Sequence, residues 1–123
     1  MKDYSQEALG NALKVISSSI VKCEKIQPKF KEGTSQFSLL RNRIKALRIV
    51  KCLIENDESI KDYTIEDLEK ALPPVISIRN KTEKARSKYE EGSTQFKRFS
   101  PIIEAMYIAE ELINNEMSKR DEV

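Results

Sequence analysis

Apolar residues recur along this chain at intervals of three and four. Leu9, Leu13, Ile16, Ile20, Cys23, Ile26 and Phe30 form one series, and Phe37, Leu40, Ile44, Leu47, Val50, Leu53 and Ile54 form the next. Such spacing gathers side chains on one face of a helix, whereas a half-buried strand needs strict alternation. The pattern then returns, with apolar residues again at 96, 99, 103, 106, 109, 112 and 113. Polar residues fill the positions between, so the helices are predicted to be amphipathic.

The return is a near-repetition of letters as well as of pattern. "FKEGTSQF" at 30–37 is echoed by "YEEGSTQF" at 89–96, an offset of 59 residues. At that offset 2–59 and 61–118 align without a gap, and over a third of the 58 paired positions are identical, among them Tyr4/Tyr63, Ala12/Ala71, Phe37/Phe96, Ile44/Ile103 and Ile54/Ile113. We read this as a tandem repeat of one helical hairpin. The first helix of each copy opens at a hydroxyl cap, Ser5 or Thr64, the latter with Asp67 at capping-box spacing. Gly33 and Gly92 are expected to end those helices in a left-handed cap, and Thr34, Ser35, Ser93 and Thr94 to start the second helices at about 35–56 and 94–115.

A hairpin of two amphipathic helices leaves an apolar side uncovered, and a second copy is the simplest cover. The expected fold is all-α: an antiparallel four-helix bundle with pseudo-two-fold symmetry, one domain over 1–123, a "DESIKD" linker at 57–62 and a disordered tail at 119–123. Pro73 and Pro74 are expected to break or restart the third helix, and Pro101 to kink the fourth.

Composition agrees with one soluble helical core: 123 residues, 34% charged, 39% hydrophobic, three Gly and four Pro. The apolar stretch at 15–21 is interrupted by Ser17, Ser18 and Ser19 and is too short to cross a bilayer, so a cytoplasmic protein is expected. In the hairpin, Cys23 and Cys52 lie at heights that differ by about 13 Å, too far for a disulfide, and both are expected as small core residues. The chain has no His, which removes the usual general base and the common zinc sites. No phosphate-binding glycine loop or Cys-x-x-Cys pair is present, and no metal, cofactor or catalytic residue is expected.

Charge distinguishes the two copies. Arg41, Lys45 and Arg48 lie at i, i+4 and i+7 with Lys51 beside them, a basic stripe on the second helix. The fourth helix has Ser100, Glu104, Tyr107 and Glu110 at the matching positions, with Glu111 adjacent. Residues 1–59 carry a net +4 and 60–123 a net −2. These faces are candidate contacts for an acidic protein or for another copy of the chain, giving a possible homodimer; a nucleic acid is disfavoured by an overall charge of only +2. A second candidate is the pair of turns, where helix N-termini attract anions and Thr34, Ser35, Gln36, Ser93, Thr94 and Gln95 lie near Lys29 and Lys88.

The segment "EGTSQFSLLRNRIKAL" resembles a signature of small helical bacterial proteins, a resemblance that brings no functional residue with it. In fold alone the expected bundle is similar to the bacteriocin immunity proteins. The leading expectation is a non-catalytic protein-interaction or regulatory module. An immunity- or antitoxin-like protein that neutralises a partner comes second, and an anion- or phosphate-binding module third.

Overall fold

The computed structural model describes residues 4–121. Four helices account for most of them: α1 (Gln6–Ile26), α2 (Ser35–Glu55), α3 (Ile65–Arg86) and α4 (Thr94–Asp121), with no strand among the described residues. Each start is set by a side-chain oxygen that satisfies an otherwise unpaired backbone N–H. Ser5 accepts from Ala8 N at 3.1 Å, Thr34 from Phe37 N at 3.3 Å and Ser93 from Phe96 N at 3.2 Å. Thr64 completes a reciprocal capping box, accepting from Asp67 N at 3.0 Å while the Asp67 carboxylate accepts from Thr64 N at 2.9 Å.

The helices pack as α1 on α2, α2 on α3, α3 on α4 and α4 on α1; α2 and α4 also meet across the diagonal, and α1 and α3 do not. Their sense is antiparallel. As α3 rises through Arg79, Glu83 and Arg86, its partners on α4 descend through Glu110, Tyr107 and Ser100. The expected bundle is therefore the observed architecture. Its main core gathers Ile16, Leu47, Val50, Leu68, Val75, Met106 and Ile113, with a smaller cluster of Cys23, Leu40 and Ile44 toward the turn end. Helix starts Gln6 and Ile65 are 59 residues apart, as are Ser35 and Thr94. Buried Ala12/Ala71, Ile16/Val75, Ile44/Ile103, Ala46/Ala105, Leu47/Met106, Ile49/Ile108 and Val50/Ala109 follow the same spacing.

The structure corrects the sequence reading at several points. Gly33 and Gly92 are not the C-caps of the first helices: α1 ends at Ile26 and α3 at Arg86, well before either glycine. Pro28 explains the first ending, since it lacks an N–H and turns the chain into a short 3-10 turn at Gln27–Lys29. The glycines instead sit just before the N-caps Thr34 and Ser93, at φ +93° and +90°, a region that a side chain strongly disfavours. Ser35 and Thr94 are then the first helical residues rather than caps.

Pro73 and Pro74 do not break α3, which runs unbroken from Ile65 to Arg86; Pro101 stands inside α4. Two prolines deprive the carbonyls of Glu69 and Lys70 of their intrahelical donors. Both residues are exposed, so water can serve those carbonyls while buried Leu68, Ala71 and Val75 hold the helix on either side. The tail expected at 119–123 is helical as far as 121. Residues 119–121 belong to α4, where Arg120 donates to Ile60 O at 2.8 Å and to Tyr63 O and pairs with Glu116 at 2.9 Å; 122–123 lie outside the described residues. Arg120 thereby fastens the linker, a 3-10 turn at Glu58–Asp62, to the end of the bundle. Both cysteines are free, and Cys52 is half-buried beside Ser59 at 3.4 Å rather than in the core.

Candidate functional site

The basic stripe of α2 does not stand as one free surface. Lys45 leans toward α3 and pairs with Asp67 at 2.8 Å, while Arg48 leans toward α1 and pairs with Glu24. Arg41 is exposed and has no ion pair among the described residues, and Lys51 is half-buried. On α4, Glu104 is exposed, but its neighbours are engaged within the bundle. Glu110 accepts from Arg79, Glu111 from the Tyr4 hydroxyl, and Tyr107 lies under the Arg79 guanidinium at 4.5 Å while donating to Glu83 at 3.4 Å. Burial, helped by the hydrogen bond and the charge of Glu111, pushes the Tyr4 phenol up to about 12.

The hydrogen bond from Lys45, aided by the backbone N–H of Thr64, holds the Asp67 carboxyl down at about 2. A carboxyl depressed on folding stabilises the fold above its unfolded pKa, and that contribution fades as pH falls through the folded value. The stability gap between the parent and Asp67→Asn is therefore expected to persist above about pH 4 and to close as pH falls to about 2. Denaturation midpoints measured across this range check the expectation.

The paired turns use their hydroxyls for the fold. Thr34 Oγ1 accepts from Phe37 N and donates to Lys31 O at 2.7 Å, and Ser93 Oγ caps α4. Ser35, Gln36, Thr94, Gln95, Lys29 and Lys88 are exposed around them. The two turns open into different depressions: Gly33, Thr34 and Ser35 line a shallow one with Ser38, Leu39 and Asn42, while Gly92 belongs to the groove between α1 and α4.

Two larger grooves are built alike. One, of about 660 Å³, runs between α2 and α3 over Ala46, Ile49 and Ala71; the other, of about 760 Å³, runs between α4 and α1 over Ala105, Ile108 and Ala12. Nine of the eleven residues lining the first have a counterpart 59 positions away in the lining of the second. The small alanines keep each floor open where larger side chains would fill it. Pro73 and Pro74 line the first groove and Pro101 the second, so the prolines that sequence reading took for defects lie on the walls of these grooves. The rims differ, Lys45 in one occupying the position held by Glu104 in the other. Sequence reasoning missed the grooves, although Ala12/Ala71 and Ala46/Ala105 recur at the repeat spacing.

Charge is also divided along the axis of the bundle. Cut at mid-helix, the half carrying both turns (17–45 and 76–104) holds fourteen Lys and Arg against six Glu, and the described remainder holds seven against twelve Asp and Glu. Inside the turn half the core stripe of α3 becomes polar. Arg79 stands at the position matching buried Ile20, Thr82 at that of Cys23, and Arg86 one turn beyond, stacked on Phe96 at 4.7 Å.

No helix among the described residues is long and apolar enough to cross a membrane. No family model matches the chain, and no curated protein or solved structure is significantly similar to it. The fold and its surfaces define the class: a small antiparallel four-helix bundle with two like grooves and oppositely charged ends.

Proposed function

We propose that the chain is a non-catalytic interaction module, a helical hairpin used twice, that receives amphipathic helices of a partner protein in its α2–α3 and α1–α4 grooves. The observation that carries this reading is the recurrence of one groove lining at a spacing of 59 residues, down to the Ala–Ile–Ala floor. Core packing asks for large side chains at such places. Two open apolar grooves with charged rims suit the apolar edge of a helix, which docks through residues at i, i+3, i+4 and i+7. Lys45 and Glu104 at equivalent points would let each groove choose a different partner segment.

A photoreactive side chain placed at Asn42 or Asn11, on the rims of the two grooves, tests the reading in the source cell. Both positions are expected to trap the same partner polypeptide, and Asn80, exposed on α3 outside both grooves, is expected to trap none. Equal trapping from all three positions, or from Asn80 alone, would refute groove docking.

A further inference from the structure

The two turns share more than their caps and glycines demand. Lys22/Lys81, Lys25/Lys84 and Lys29/Lys88 are identical at the repeat spacing, and all six are exposed. None enters an ion pair among the described residues. The next pair, Phe30 and Tyr89, leaves an aromatic side chain 37% and 43% exposed at the same two places. Ile26, the last residue of α1, is also exposed. Tyr89 stacks on Phe99 at 6.0 Å, but neither core packing nor helix capping requires the lysines to be exposed, and both copies carry them beside a partly exposed aromatic at the same end of the bundle.

We infer that the turn end of the bundle docks, end-on, onto an anionic membrane surface. Charge complementarity selects the occupant: the turn half is the basic half, and the opposite half is acidic, so a negatively charged plane attracts one end and repels the other. The matched helix boundaries bring both turns to the same end of the bundle, and each turn carries three of the lysines and one of the aromatics to that end. Lysines snorkel toward lipid phosphates while aromatic rings settle at the headgroup level. A phosphodiester strand would use the lysines and leave Ile26 in water; a bilayer interface takes both. Glu24, Glu32, Glu83, Glu90 and Glu91 at this end oppose the attraction but are outnumbered, and Glu24 and Glu83 already face Arg48 and Arg79.

Flotation of the full chain with vesicles tests the inference. At low ionic strength the protein is expected to float with phosphatidylglycerol–phosphatidylcholine vesicles, to stay behind with phosphatidylcholine alone, and to be released by salt. Lys29→Glu with Lys88→Glu should weaken binding by about tenfold or more. Phe30→Ala with Tyr89→Ala should weaken it severalfold, while Asp57→Lys with Glu58→Lys, at the far end, should not weaken it. Circular dichroism of each variant verifies that the helices are kept. Absence of binding to the anionic vesicles, indifference to their charge, or parental binding by the Lys29/Lys88 variant overturns the inference. Tighter binding to polyglutamate or to a single-stranded oligonucleotide than to anionic vesicles also overturns it, and assigns the face to an acidic protein or a nucleic acid instead. The groove positions Asn42 and Asn11 play no part here, so this inference and the groove reading fail separately.

Discussion

Leu47→Ala is expected to lower the unfolding free energy by about 3 kcal/mol, the typical loss when a fully buried leucine is cut back to alanine. Leu47 has 0% exposure and sits in the main core. Its neighbours along α2, Ala46 and Val50, are buried as well, so the helix has little freedom to collapse into the space left behind. A single domain of this size has roughly 5–15 kcal/mol in hand, so the variant should stay folded but melt roughly 10 °C lower. Leu39→Ala on the same helix removes the same atoms from an exposed site and should change stability by no more than about 0.5 kcal/mol. Urea titrations of the two variants make the comparison. A loss below about 1 kcal/mol for Leu47→Ala would mean that α2 does not bury this face.

The second large effect belongs to Arg79. Its guanidinium pairs with Glu110, its Nε lies 3.6 Å from Glu83 and makes no hydrogen bond, and its side chain is only 15% exposed. Removing one member of such a network strands the other charge in a poorly solvated place. Because Glu110 keeps some contact with water, at 28% exposed, Arg79→Ala is expected to destabilise by about 2 kcal/mol, below the figure for a fully buried pair. Replacing both partners has a different outcome. Arg79→Ile restores the residue found at the matching position, Ile20, and together with Glu110→Leu should give a protein at least as stable as the parent. A double-mutant cycle built from urea midpoints isolates the coupling. If Arg79→Ala matches the parent, the network contributes nothing; if the double variant falls below Arg79→Ala, the charges contribute more than packing can replace.

Much of the fold was legible because its signals are local. Ser5, Thr34, Thr64 and Ser93 mark the helix starts through hydroxyls that any reader of the chain can see, and the three-and-four spacing of Ile16, Ile20, Leu47 and Val50 marks the buried faces. The helix ends were less legible. A glycine in "KEGTS" suggests a C-cap, but Pro28 acts earlier, and the left-handed residue serves the following helix instead. Pro73 and Pro74 misled for a related reason: intrinsic propensity favours a break, and packing of Leu68 and Val75 overrides it.

The candidate site was less legible still, because charge written in chain order hides its place in space. Counting by halves of the sequence gives a basic copy and an acidic copy. Folding the hairpins back sets 22–31 and 81–90 at the same end, and the division falls between the ends of the bundle instead. The stripe of Arg41, Lys45 and Arg48 looked continuous on one helix, but Asp67 and Glu24 approach from different neighbours, which no single-helix projection contains. The grooves lay concealed for the same reason, since the two walls of the first are 18 to 38 positions apart in the chain and those of the second 76 to 100.

The unbroken course of α3 past Pro73 and Pro74 leaves two rungs missing from its ladder of backbone bonds. Its leading segment is secured by the Thr64–Asp67 box and the dry contacts of Leu68 and Ala71, and its trailing segment by the charged cluster around Arg79. With two bonds missing at mid-length, the two segments are expected to open separately, amides beyond Val75 exchanging with solvent faster than those of the capped first turns in a hydrogen-exchange experiment. The part of α3 nearest the basic end is then the part expected to loosen first.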